Sequence, residues 1–108
     1  MTGHCKDREA APFVTRAAEA LPDHAEAQYL LAAVHITTGN YDVAIEALER
    51  TLELEPENTN VYKNLGISHY NRGRFAQSRK MFETVLEFLP DHDFAAQWLM
   101  RLDREARQ

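Results

Sequence analysis

Pro22, Pro56 and Pro90 stand 34 residues apart, each inside the same local phrase: Leu21-Pro22-Asp23-His24, Glu55-Pro56-Glu57-Asn58 and Leu89-Pro90-Asp91-His92. A fixed period of this size describes a stack of like units rather than one globular design. Each unit leaves an apolar face that only its neighbour covers. The expected product is a solenoid with an extended surface suited to holding another protein or peptide.

Between the prolines the apolar spacing is helical, with two segments per period. Ala25 to Ile36 reads as a first helix that stops at Thr38-Gly39-Asn40, and Asp42 to Leu54 as a second. The second helix sets Val43, Ala44, Ile45, Leu48 and Leu52 on one face and Glu46, Glu49, Arg50 and Glu53 on the other, with Asp42 as a candidate N-cap. Pro56 ends the unit because it cannot donate to a helix and pushes Glu55 towards extended geometry. The next period repeats the plan with a helix over Val61 to Tyr70, a turn at Arg72-Gly73-Arg74, a helix over Ala76 to Phe88, and Pro90. Equivalent residues keep their type: Leu31 and Leu65, Ala32 and Gly66, Gly39 and Gly73, Leu48 and Phe82, Leu52 and Leu86.

The ends read as half units. Residues 1–24 correspond to a second helix only, with Pro12 in its first turn, Val14 matching Leu48 and Ala18 matching Leu52. Residues 93–108 correspond to a first helix, Phe94 to Arg107, with no second to follow. Whole repeats occupy 25–58 and 59–92. The sequence thus predicts a single all-α domain of about six helices.

The formal net charge of -5 argues against nucleic acid as the main partner, since duplex binding leaves a basic footprint. The charge is unevenly spread. Residues 1–58 hold four basic and eleven acidic side chains, and residues 59–108 hold eight basic and six acidic. The single cysteine, Cys5, cannot form an internal disulfide, and an ordinary thiol is expected there. The N-terminus lacks the apolar stretch of a secretory signal, and the longest apolar run, Leu30 to Val34, is too short to span a bilayer. A cytoplasmic location, without membrane contact, is the default expectation.

Tyr62-x-x-Leu65-Gly66 and Gln28-x-x-Leu31-Ala32 open the two whole units, and Ala44 and Ser78, then Leu48 and Phe82, then Pro56 and Pro90 follow at matching places. In this pattern the chain resembles the tetratricopeptide repeat family over nearly its whole length. Gln28 in place of an aromatic, His35 and His69 in place of Tyr, and Thr51 and Val85 in place of Ala are departures in packing detail. The resemblance implies a right-handed superhelix of antiparallel helix pairs and a non-catalytic scaffold that grips a peptide in the concave face of its first helices. A carboxylate clamp of Lys and Asn, known in one subset of the family, is not expected: Asn64, with Lys63, fits it, but Tyr29, Ala33, Phe94 and Trp98 occupy its other positions.

By repeat register, the inner face takes the first-helix residues that do not serve their own unit's core. The first repeat supplies Glu26, Tyr29, Ala33, Ile36 and Thr37. The second supplies Asn60, Lys63, Asn64, Ile67, Tyr70 and Asn71, and the last helix Gln97, Arg101 and Arg104. Tyr29, Ile67 and Tyr70 are the expected apolar anchors, with Lys63, Asn64, Asn71 and Arg101 orienting the bound segment. The end helices offer an alternative use: Trp98, Leu99, Met100 and Leu102 would be unusual on a polar outer face and point to homo-oligomer contacts or to the rest of a longer protein.

No phosphate loop, nucleophile elbow or isolated carboxylate pair stands in the sequence, so neither an enzyme nor a cofactor is expected. His35 and His69 share one repeat slot, and His24 and His92 share another. Such equivalence marks packing or capping residues rather than ligands of one metal ion.

Overall fold

A computed structural model describes residues 16–17, 19–21 and 23–106. The readings made at Cys5, Pro12, Val14 and Ala18 lie outside these residues. Arg16, Ala17, Glu19 and Ala20 are helical. Five further helices follow: α1 (Ala25–Thr37), α2 (Tyr41–Leu54), α3 (Thr59–Asn71), α4 (Phe75–Phe88) and α5 (Asp93–Ala106). No strand occurs among the described residues. The contacts divide the chain after Pro56 into two compact units, one built on α1 and α2 and the other on α3, α4 and α5.

Each helix pair is closed by the same turn. In the first, the Gly39 N–H donates to the Ile36 carbonyl at 3.1 Å and the Asn40 N–H to the His35 carbonyl at 2.8 Å. In the second, the Gly73 N–H donates to the Tyr70 carbonyl at 3.0 Å and the Arg74 N–H to the His69 carbonyl at 2.8 Å. These nested bonds form a Schellman motif, which needs its central residue in the left-handed region. Gly39 and Gly73 supply it, with φ of 84° and 75°. The chain then reverses within three residues, and the two helices of each pair lie antiparallel.

Helix starts repeat as well. His24 Nδ1 accepts from the Ala27 N–H at 3.3 Å, Asn58 Oδ1 from the Asn60 N–H at 3.1 Å, and His92 Nδ1 from the Ala95 N–H at 3.2 Å. The three caps stand at one slot of the period, two residues beyond each proline. His24 and His92 are therefore capping residues, as their equivalence implies. Asp42, by contrast, is not a cap: α2 starts one residue earlier, Asn40 takes the N-cap position without a side-chain bond, and Asp42 falls in the first turn. A carboxylate there still favours the positive end of the helix dipole. Glu55 and Leu89, the residues before two of the prolines, leave helical geometry at nearly the same angles (φ -136°, ψ 78° and φ -132°, ψ 84°).

The first unit buries Ala27, Leu31 and Ala32 of α1 with Ala44, Ile45, Ala47 and Leu48 of α2. Thr51 is fully buried yet satisfied, donating to the Ala47 carbonyl at 2.9 Å. The second unit centres on Phe82, Val85, Ala95 and Leu102, with Tyr62, Ile67, Tyr70, Leu86, Trp98 and Leu99 packed around them. Its tightest contact joins α3 to α4. A Cβ placed on Gly66 would lie 2.6 Å from Phe82 Cε2 and Cζ, well inside any real contact. Ser78 Oγ donates to the Gly66 carbonyl at 2.7 Å beside it. The equivalent positions of the first unit hold Ala32 and Leu48, both fully buried. A smaller partner on α2 thus accompanies a Cβ on α1, and the larger ring on α4 requires its loss on α3.

Gly66→Ala tests that contact by the sign of its effect. In an unobstructed helix interior alanine is favoured over glycine by about 1 kcal/mol. Here the methyl meets the Phe82 ring, and chemical denaturation followed by circular dichroism is expected to show a loss of about 1–3 kcal/mol. Adding Phe82→Leu, which restores the first unit's combination, should recover part of that loss. The cap is tested separately: His92→Ala should lower stability by about 1 kcal/mol, and His92→Asp should preserve it.

Candidate functional site

Helices α3 and α5 of the second unit meet through their side chains along one face. Lys63 Nζ lies 5.4 Å from the centre of the Phe94 ring. One turn further along α5, Trp98 packs its ring 6.3 Å from Phe94, 4.9 Å from Tyr70 in an edge-on arrangement, and 5.2 Å from Phe82 in a near-parallel stack. The Arg101 guanidinium sits over both Tyr70 (5.1 Å) and Trp98 (5.0 Å). Cations and aromatic rings therefore alternate across the α3–α5 seam. Each such contact is worth about 0.5–1 kcal/mol at an exposed position, and more where water is excluded.

An open recess of about 560 Å³ lies on this face, lined by Phe94, Gln97, Trp98, Met100, Arg101 and Arg104 of α5. No carboxylate lines it. Beside it, Glu105 accepts a hydrogen bond from the Tyr70 hydroxyl and lies 3.5 Å from Arg101 Nε. The next acid on α5, Asp103, is paired with Arg79 of α4. The Arg104 side chain makes no ion pair or hydrogen bond among the described residues.

The structure distributes the register residues over both units. Lys63, Ile67, Tyr70, Gln97 and Arg101 come together on the second unit, but Ile67 and Tyr70 also pack against its core, and Tyr70 and Arg101 are committed to each other. Asn64 is half-buried and Asn60 exposed on the same helix. Asn71 spends one amide hydrogen on the Ile67 carbonyl at 2.9 Å. Tyr29, Ala33 and Ile36 stand on α1 in the first unit, where Ala33 is exposed and the other two are half-buried. Trp98, Leu99 and Leu102, expected at an outer end face, are used by the second unit's own packing, which leaves Met100, 63% exposed.

Three lining residues escaped the register reading as groove residues: Phe94, Trp98 and Met100. The signal was present as broken periodicity. Phe94 and Trp98 stand where α3 has Asn60 and Asn64, and Met100 stands in the slot of Ala32 and Gly66. That slot is covered in both helix pairs and open on α5.

No group of three His, Cys, Asp or Glu side chains among the described residues could hold a metal ion, and no described helix is long and apolar enough to cross a membrane. Among the described residues, the one perturbed ionisation is that of Tyr70. Its hydrogen bond to Glu105, then its desolvation, raise the phenol above its ordinary value, and the Arg101 charge opposes this only in part.

The tetratricopeptide repeat profile matches residues 8–51 and 36–102, and the chain belongs to that family, one of non-catalytic scaffolds. It is 30% identical over 99 residues to sperm-associated antigen 1 of Rattus norvegicus, covering 92% of this chain and 11% of that protein. Two solved structures show the same fold. The first TPR of Spaghetti (RPAP3), bound to the HSP90 peptide SRMEEVD, superposes with a TM-score of 0.88 at 20% identity, over 99% of this chain and 85% of that one. YrrB, a TPR protein with an unusual peptide-binding site, gives 0.79 at 21% identity, over 84% of this chain and 47% of that one.

Tyr70 can be followed directly. Its neutral phenol is favoured in the folded state, so the stability it adds is complete below the ordinary phenol pKa of about 10 and is lost as pH rises through the higher folded value. In an ultraviolet titration Tyr70 should ionise above the ordinary phenol value. Tyr70→Phe should remove that late step, and Glu105→Gln should bring it back towards the ordinary value.

Proposed function

We propose that this chain is a protein-interaction module that binds a peptide or partner segment on the α3–α5 face. The observation that carries this reading is the open recess beside the cation–aromatic seam. Apolar rings, an amide and guanidinium groups converge there without a lining carboxylate. Such a mixture suits a peptide: ring faces receive side chains, and amides and cations receive backbone carbonyls or acids. The peptide bound by the Spaghetti domain and the peptide-binding site of YrrB support the same use of this fold. In the first unit, the α1 residues Tyr29, Ala33 and Ile36 are proposed as partner contacts of that unit. No enzyme activity, cofactor or nucleic acid enters this reading.

The test is loss of binding without loss of structure. Lys63→Ala combined with Asn64→Ala should reduce capture of partner proteins on the immobilised chain, with unchanged helicity by circular dichroism. Equal capture by the double variant would move the site off this face. The contrast in charge between the two halves of the sequence favours a second reading, in which acidic and basic regions of different copies associate. In that case sedimentation would show self-association that weakens with salt.

A further inference from the structure

Resting on the peptide-binding reading above, we propose that the α5 face selects for charge and takes an acidic segment of a partner protein, with one apolar side chain seated beside Met100. Three observations carry this. The first is local sign. Arg101 and Arg104 line the recess with no carboxylate among the lining residues, and Lys63 lies over Phe94. Of the other acids on α5, Glu105 is held by the Tyr70 hydroxyl and by Arg101 and Asp103 by Arg79, while Asp93 stands in the first turn. The Arg104 side chain is exposed and forms no ion pair with a described residue. The guanidinium is a planar fork, fitted to meet a carboxylate with two hydrogen bonds.

The second observation is the contrast with the rest of the chain. The formal net charge is -5, and eleven of the seventeen acids fall within residues 1–58. An acidic ligand is repelled by that background and attracted where the sign reverses, which concentrates encounters at the recess. The third is Met100. It fills the slot that holds Ala32 and Gly66 in the two helix pairs, where a neighbouring helix covers the position completely or nearly so. On α5 the side chain is long and 63% exposed. A thioether projecting there obstructs the close helix contact seen at Gly66. It does offer an adaptable apolar surface to a single side chain.

The whole chain, immobilised, would be offered a random decapeptide phage library, and bound peptides read by sequencing. Selection should enrich Asp and Glu around one Leu, Ile, Met or Phe. The single tryptophan, Trp98, lies in the recess, so its fluorescence reports binding of the selected peptides in solution. Affinity should fall as salt rises, and by about tenfold or more in Arg104→Glu, the size expected for a charge-assisted contact turned repulsive. Met100→Ser should remove the apolar preference and keep the acidic one. Acid enrichment that is identical on wild type and Arg104→Glu would overturn the proposal. Neutral binders lost in Phe94→Ala would overturn the charge selection alone and leave the peptide-binding face standing. If no binder depends on Phe94, both readings fall. Should sedimentation without peptide show self-association abolished by Arg104→Glu, the occupant is a second copy, and the partner-segment proposal is wrong.

Discussion

The second unit depends on how closely α3 and α4 approach. At Gly66 the two helices leave no room for a Cβ, because the Phe82 ring already fills the notch. The same ring is the surface on which Trp98 stacks, at 5.2 Å and 9°. Trp98 in turn supports Tyr70 and Arg101. A glycine on the pair-facing side of α3 is thus linked, through two aromatic rings, to a guanidinium on the open side of α5. The core and the proposed binding face are two sides of one stack, and large-to-small changes at Phe82 should be felt at both.

Local chemistry repeats more faithfully than packing. The two Schellman turns match bond for bond within 0.1 Å, and the pre-proline residues Glu55 and Leu89 differ by only a few degrees. This follows from what each device requires. A left-handed glycine, a cap acceptor and a proline act on their own backbone and need no particular neighbour. Packing slots answer to a partner across the interface, and so they change in compensating pairs, Ala32 with Leu48 and Gly66 with Phe82.

That difference explains what could be read in advance. The period, the helix pairs, the glycine turns and the capping role of His24 and His92 are legible because each is signalled by residues close in sequence. Asp42 misleads because a good N-cap residue stands two positions after a turn whose backbone had already started the helix at Tyr41. On the candidate site, register shows which side of a helix a residue occupies but not which residues touch across the seam. Register names Tyr70 and Arg101, yet their mutual contact, and the engagement of Glu105, are side-chain contacts between α3 and α5 beside Trp98. Register assigns Trp98 to the position of Asn64 and says nothing of Phe82 beneath it.

The three first helices allow a comparison within one molecule. At the slot of Ala27, Val61 and Ala95 and at the slot of Leu31, Leu65 and Leu99, the residues stay small and aliphatic or stay leucine, and all but Leu99 are buried. At the slots turned away from the pair the residues diverge completely: Glu26, Asn60 and Phe94; Tyr29, Lys63 and Gln97; Ala33, Ile67 and Arg101; Ile36, Tyr70 and Arg104. A helix needs little of a residue outside its packing face beyond compatibility with helical geometry. The fold therefore leaves most of these positions free to differ, Ile67 and Tyr70 excepted because they pack against the second unit's core. On α5 they carry two guanidiniums, an amide and an aromatic ring around one recess. Residues that stability does not dictate, gathered by three-dimensional structure onto one open surface, are where a scaffold of repeated units can acquire selectivity without disturbing the contacts that hold it together.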